Sequence, residues 1–304
     1  MKSFPTLGLK NTLSSRVQLD PEELLIITEC NTQSLVAWYD FSDTATLFTD
    51  IAGTSVAVNG SRIRRANNKA YDGLGVSSKS LNSFIMNSDA NTANLPILTA
   101  AVGIGAGFLS FTGTQELHST TTKGQCSTNR MGGVTLKQDN HTISFVIKVD
   151  NVTETADHLY CSYQDAARAI TTAGIESTDD QMHYWPTYAS ADVDSNTAFS
   201  GGLESWTIIM GASNTSCADA RTVRIYRNGV LVDTDPTDYA TADRDLTANH
   251  ASIGFWLGRS PGSTNMFEGR WLEFVQYSTA LSDYQHDQLN TYYSNKYGID
   301  YNLL

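Results

Sequence analysis

What this chain lacks narrows it first. Only 17% of its 304 residues are charged, and Asp and Glu outnumber Lys and Arg by 32 to 20, a formal net charge of −12. A surface that acidic repels phosphate backbones and anionic headgroups, so neither nucleic acid nor a membrane is expected as a partner. No apolar run approaches the ~18 residues a spanning helix requires. The opening stretch, Met1 to Asn11, has no continuous apolar core of the secretory kind, so the expectation is synthesis in the cytoplasm without export. There are six prolines and no heptad, glycine period or internal repeat, which excludes a collagen-like or coiled-coil shaft.

Chemistry-bearing motifs are also scarce. The four cysteines, Cys30, Cys126, Cys161 and Cys217, form no CxxC pair and read as separate thiols. The six histidines (His118, His141, His158, His183, His250, His286) never fall at metal-ligand spacing, so no zinc site is expected. No Gly-x-Ser-x-Gly elbow and no phosphate loop occurs. Asn-x-Ser/Thr triplets at Asn59, Asn140, Asn151 and Asn214 are what a chain rich in these residues carries by chance. The sequence therefore reads as non-enzymatic.

What is present is β chemistry. Ser, Thr, Asn and Gly separate runs of strand-forming residues, and a chain this long buries roughly 75% of its unfolded surface. His141-Thr-Ile-Ser-Phe-Val-Ile-Lys-Val149 alternates, with Ile143, Phe145, Ile147 and Val149 on one face. Ser205 to Gly211 is apolar on both faces, as a central strand should be. Val223 to Asp233 contains Asn228-Gly229, the two positive-φ residues of a type I′ turn. A two-residue loop then pairs Arg227 with Val230, Tyr226 with Leu231, Ile225 with Val232 and Arg224 with Asp233. Ala251 to Gly258 and Arg270 to Tyr277 predict two more strands. Ser282-Asp-Tyr-Gln285 is a capping box, Leu289, Tyr292 and Tyr293 form an apolar stripe, and Gly298 ends that helix. Leu81 to Leu98 and Thr171 to Phe199 show no clean period and are expected to be long loops.

Residues 1–34 differ from the rest. Phe4, Leu7, Leu9 and Leu13 are spaced irregularly among small and polar residues, like an extended arm whose side chains need another protein's groove. Asp20-Pro-Glu-Glu23 then starts a short helix with Asp as N-cap and Pro at the first helical position.

Trp38-Tyr-Asp40 with Ser42-Asp43 and Thr46-Leu47 resembles the opening strand of laminin-G-like, concanavalin A-like jelly rolls, which recur in tailed-phage virion proteins. Phe108-Leu-Ser-Phe-Thr-Gly113 with Leu117, Ile225-Tyr-Arg-Asn-Gly229, Gly269 with Glu273 and Tyr277, and Ala280-Leu-Ser282 before a helix ending Lys296-Tyr-Gly-Ile299 are similar to further parts of that family. The usual second Trp-Asp of the opening segment is absent, and Gly53 to Ile63 stands in its place. The resemblance covers roughly residues 35 to 300. It implies an all-β fold: a two-sheet antiparallel jelly-roll sandwich, here residues 35–304, with the 1–34 arm and its helix before it and a C-terminal helix closing it.

Function follows as expectation. The resemblance points to a virion structural protein on a phage particle surface, in the first place a capsid decoration (cement) protein. Phe4, Leu7, Leu9 and Leu13 would anchor it to the major capsid protein or other virion proteins, in a homo-oligomeric arrangement. The alternative is a tail-fibre, spike or baseplate subunit that binds host-surface glycan, with Tyr184, Trp185 and Tyr188 offering ring faces to sugar C–H groups. Glycosidases of this fold carry a Glu-x-Asp-x-x-Glu strand, which is missing; Glu176 and Asp179-Asp180 do not replace it. No cofactor is expected. Calcium is the one weak candidate, through Asp233 and Asp235 with Asp238, Asp243 and Asp245 nearby, against the simpler reading of a solvated acidic loop with Asp233 bonded to Arg224. Glu273 reads as structural, bonded to backbone or to an arginine.

Overall fold

A computed structural model of the chain describes residues 35–69, 84–85, 95–100, 107–112, 117–118, 141–150, 157–165, 168–176, 180–185, 193–212, 221–235, 254–257, 267–277 and 279–301. In chain order the strands are β1 (Leu35–Asp40), β2 (Leu47–Phe48), β3 (Arg65–Ala66), β4 (Phe84–Ile85), β5 (Ile97–Thr99), β6 (Phe108–Thr112), β7 (Leu117–His118) and β8 (His141–Val149). There follow β9 (Asp157–Asp165), β10 (Arg168–Glu176), β11 (Gln181–Trp185), β12 (Val193–Ala198) and β13 (Leu203–Ala212). The last are β14 (Arg221–Arg227), β15 (Val230–Asp235), β16 (Gly254–Leu257) and β17 (Glu268–Tyr277), before one helix, α1 (Asp283–Tyr297).

These strands make an eight-stranded antiparallel sheet in the order β15-β14-β13-β8-β17-β6-β5, with β1 also paired to β17. A six-stranded sheet runs β12-β11-β10-β9-β16-β7, and a small third sheet is β2-β3-β4. The expected all-β sandwich is what forms. Its core lies between the two large sheets, where Phe145, Ile147, Trp206, Ile208, Trp271 and Phe274 meet Leu159, Ala173, Ile175, Met182, Tyr184 and Leu257. Ile143, Phe145, Ile147 and Val149 all point into this core, as the alternation predicts.

A second buried layer lies on the other face of the eight-stranded sheet. There α1 lays Leu289, Tyr292, Tyr293 and Tyr297 over Trp38, Val146, Ile209, Leu272, Val275 and Tyr277. Both faces of β8 and β13 are therefore covered, which is why neither sequence shows a solvent face. Ser282 caps α1 through its box with Gln285, and Gly298 closes it in the left-handed conformation at φ 67°.

The hairpin departs from its predicted register midway. Arg227 faces Val230 and Tyr226 faces Leu231 as expected, but a bulge then pairs Ile225 with Asp233 and Arg224 with Thr234. The bulge leaves Val232 partly buried against the core. Arg224 meets Asp283 of the C-terminal helix at 2.6 Å. The expectation of a loop from Thr171 to Phe199 is also overturned. Much of that span is strand: the end of β10, all of β11 and all of β12. Its inner positions are a mixture of small and large residues, Ala173 and Ile175 beside Met182 and Tyr184, and irregular pairing breaks the period. Within Leu81 to Leu98, β4 and the start of β5 are strand. The arm and the helix expected in residues 1–34 lie outside the described residues.

Gly229 serves two ends. It has φ +75° in the turn, and a Cβ there would stand 2.6 Å from a ring carbon of Tyr301. Gly229→Ala is expected to cost about 2 kcal/mol or more, from left-handed backbone strain plus displacement of Tyr301. A denaturant melt should show a lower midpoint with an unchanged slope; an unchanged midpoint would refute this account of the turn.

Candidate functional site

The most concentrated polar chemistry among the described residues lies where β1 runs beside β17. The two strands place Asp40 opposite Glu273. Glu273 owes its direction to a bulge: Trp271 pairs with Ile147 and Glu273 with Val146, leaving Leu272 as the extra residue. Before the bulge, Trp271 points into the sandwich core; after it, Phe274 does. Leu272 and Glu273 are thereby both turned toward α1.

Glu273 is fully buried. It accepts from the Trp38 indole N–H at 2.6 Å, the Tyr292 hydroxyl at 2.9 Å, the Tyr297 hydroxyl at 2.5 Å and Lys296 Nζ at 2.8 Å. Lys296 also reaches Asp40 at 2.9 Å. Lys69 binds Asp40 and Asp43, each at 3.0 Å, and sits 4.6 Å from the centre of the Trp38 ring. The second Asp40 oxygen accepts from the Ser42 hydroxyl and backbone N–H.

Electrostatics fix the protonation states. Burial alone would raise the Asp40 carboxyl, but Lys296 and then Lys69 more than offset it and hold it well below the usual carboxylate range. Burial alone would lower both ammonium groups, yet Asp40 in each case, seconded by Glu273 for Lys296 and Asp43 for Lys69, keeps them above their ordinary value. Tyr292 and Tyr297 are pushed far up by burial and then by the Glu273 charge, so both stay hydroxyl donors. Every described partner of Glu273 donates, and both its carboxylate oxygens are engaged. That is the chemistry of a clamp, not of an acid/base pair. Glu273 is structural as expected, but its partners are Trp, Tyr and Lys side chains where backbone or arginine was anticipated.

Two further buried sites have the same character. Glu204 accepts from Ser200 N at 2.7 Å, the Ser200 hydroxyl, Trp206 Nε1 at 3.0 Å and Arg227 at 2.7 Å. His141 on β8 meets the Tyr184 hydroxyl on β11 at 2.5 Å, joining the two sheets through the core.

That contact corrects one sequence expectation. Tyr184 is fully buried with its hydroxyl turned to His141, so it cannot offer a face to sugar. The segment His183 to Tyr188 is also not simply a loop, because β11 runs through Trp185, whose backbone pairs with Thr172. Tyr188 lies outside the described residues, as do Phe4, Leu7, Leu9 and Leu13. Asp233 and Asp235 lie on β15. Among the described residues no three His, Cys, Asp or Glu side chains converge as a metal site; Asp238, Asp243 and Asp245 are not among them. Asp40, Lys69 and Lys296 were missed by sequence reasoning. The available signal was an acidic residue within each of two aromatic-rich strands, with a lysine in the last turn of the following helix.

No family model matches the chain, and neither does any curated protein. Solved structures do resemble it. An arabinofuranosidase complexed with arabinofuranosyl-alpha-1,2-xylobiose superposes with a TM-score of 0.57 at 10% identity, over 86% of this chain and 63% of the other. The binding domain of Paraclostridial Mosquitocidal Protein 1 gives 0.52 at 11% identity, over 87% and 53%. Domain 4 of the arabinanase AbnA from Geobacillus stearothermophilus, in complex with arabinotriose, gives 0.48 at 15% identity, over 84% and 98%. This chain thus spans less than two thirds of the arabinofuranosidase and of the toxin domain. The shared property is the fold: a β-sandwich of the kind found in carbohydrate-binding chains and glycoside hydrolases.

One expectation does not survive. The sequence reads as non-enzymatic, but the neighbours of this fold include an arabinofuranosidase, so this sandwich is one that enzymes carry. The missing Glu-x-Asp-x-x-Glu strand excludes one arrangement of carboxylates and no more.

The clamp makes a sharp stability prediction. Glu273→Ala leaves Lys296 with Asp40 alone and orphans the Trp38, Tyr292 and Tyr297 donors in a buried site, and is expected to cost about 3–5 kcal/mol, whereas Lys296→Met with Glu273→Gln together should cost less than the sum of the two singles. Additive costs in urea melts would show the pair to be uncoupled. Because the folded state lowers the Asp40 pKa, its contribution is complete above the ordinary value of 3.8 and is lost as pH falls below it. Asp40→Asn should remove that part of the acid dependence.

Proposed function

We propose that this chain is a carbohydrate-recognising sandwich displayed on the surface of a phage particle. The observation that carries the first half is the match of the two-sheet fold, over most of this chain, to an arabinofuranosidase solved with a bound oligosaccharide. Two features support it. Among the described residues the helix covers the outer face of the eight-stranded sheet, which leaves the six-stranded sheet as the face proposed for ligand. And β11 ends at Trp185, which with Tyr188 remains the proposed sugar contact once Tyr184 is set aside as a core residue. Acidic net charge is compatible with a neutral glycan and unfavourable for a polyanionic one.

Virion display rests on the sequence resemblance. Its support is that residues quoted for it from the two ends of the domain, Trp38 and Asp40 with Glu273, Tyr277 and Lys296, belong to one packed unit and not to scattered surface positions. Within this reading, residues 1–34 anchor the domain to the major capsid protein or another virion protein, as in a decoration protein, with Phe4, Leu7, Leu9 and Leu13 as the contacts. The tail-fibre alternative differs only in where the anchor docks.

A panel of arabinose- and xylose-containing oligosaccharides and bacterial surface polysaccharides provides the test. At least one is expected to raise the melting temperature by a few degrees, with Trp185→Ala abolishing the shift while leaving the unliganded melt unchanged. Product release should be followed on the same panel. Neither shift nor turnover across it would end the carbohydrate reading. For display, deletion of residues 1–18 is expected to abolish attachment to purified particles while the sandwich stays folded. Attachment by the truncated protein would refute the anchor.

A further inference from the structure

The helix α1 is held to its sheet by two unlike anchors. Its C-terminal half ends in the Lys296 clamp, an ion cluster with matched donors and acceptors. Its N-terminal half is held over β14 by different chemistry. Asp283 pairs with Arg224 at 2.6 Å, although its own side chain is 83% exposed. One turn on, His286 lies with its ring centroid 4.0 Å from that of Tyr226 and is buried. Asn290, another turn along, directs its amide nitrogen at the imidazole, at 3.2 and 3.4 Å from the two ring nitrogens. The Asn290 carbonyl oxygen is buried without a hydrogen-bond partner.

This surrounding suits a neutral imidazole and opposes a charged one. From β14 the facing groups are the Arg224 guanidinium and the Tyr226 hydroxyl, which Arg224 already binds at 3.1 Å. From the helix they are Asp283, engaged with Arg224, and Asp287 in the neighbouring position. A second proton on His286 would place an imidazolium beside a guanidinium, with an amide donor pointed at it and, among the described residues, no carboxylate hydrogen-bonded to it. Burial, then Arg224, lowers its pKa from 6.5 to about 4, against the smaller opposing pull of Asp283.

We infer that His286 makes the first half of α1 an acid-released latch, which lifts off β14 in mild acid while the Lys296 end stays docked. The direction follows from linkage. With the helix released, His286 titrates near its ordinary value, so between pH 6.5 and about 4 the released state binds more protons, and docking weakens as pH falls. The other anchor responds in a lower range, because Asp40 is held ionised below the usual carboxylate values. Release uncovers the Tyr226 ring beside Leu231, its cross-strand partner, which is already 43% exposed. Mild acid therefore enlarges an apolar patch at this edge of the sheet.

Hydrogen exchange on the full chain, corrected for intrinsic rates, tests this between pH 7 and 4.5. Protection of amides in residues 287–290 is expected to fall by on the order of tenfold to a hundredfold, with little change in 294–297. His286→Phe keeps a ring on Tyr226 without a titratable group and is expected to flatten the response. Loss of protection in both halves together, or the same loss in His286→Phe, would overturn the latch. If that variant does not fold, NMR titration of the His286 ring in the wild-type chain decides: a midpoint near 6.5 with the Tyr226 ring contacts intact overturns the proposal as surely.

Discussion

Everything on the outer face of the eight-stranded sheet depends on one buried ion cluster. Lys296 Nζ lies within 3 Å of both Asp40 and Glu273, and these three residues come from the first strand, the last strand and the helix after it. Ions taken out of water are tolerated only when their remaining donors and acceptors are matched, and here they are. Trp38, Tyr292 and Tyr297 fill the remaining positions on Glu273, and Lys69 and Ser42 do the same for Asp40. The cluster specifies one seat for the helix where a purely apolar face would accept several.

The apolar stripe of the helix is correspondingly unusual. Leu289 is joined by Tyr292, Tyr293 and Tyr297, whose rings pack while their hydroxyls reach inward to the sheet: Tyr293 donates to Ser144, and the other two to Glu273. Below it the sheet presents Thr142, Ser144 and Glu273 among its aliphatic residues. The sandwich core, in contrast, is filled by Trp, Phe, Ile and Val with the His141–Tyr184 contact as a polar exception. One sheet thus carries an apolar interior on one face and a hydrogen-bonded interior on the other.

Local chemistry was legible in the sequence. The alternation of β8, the Asn228-Gly229 turn and the Ser282 to Gln285 box each rest on residues within a few positions of each other, and each appears where it was expected. What escaped depends on residues far apart. The pairing of Arg224 with Asp283 reaches a helix some sixty residues on, and the bulge at Leu272 matters only because β1 and α1 meet there. The strands β10 and β12 were illegible because Ala, Gly, Thr and Ser occupy positions where a period needs large apolar residues. Of the candidate site, Tyr184 is lost to the core, and no pattern within five residues of it marks an aromatic that faces inward.

The bond from the Trp38 indole to Glu273 spans 235 positions of chain. β1 finds its place in the large sheet only against β17, so during synthesis the first strand emerges from the ribosome long before its partner exists. Until then Trp38 and Tyr39 are an unburied aromatic pair, and Asp40 lacks the Lys296 that completes its charge balance. Assembly of this domain therefore waits until β17 and α1 have been made, and until then the growing chain presents a naked edge. A nascent chain of this design is a natural client for a holding chaperone, and stalling translation before β17 would leave it aggregation-prone where stalling after α1 would not.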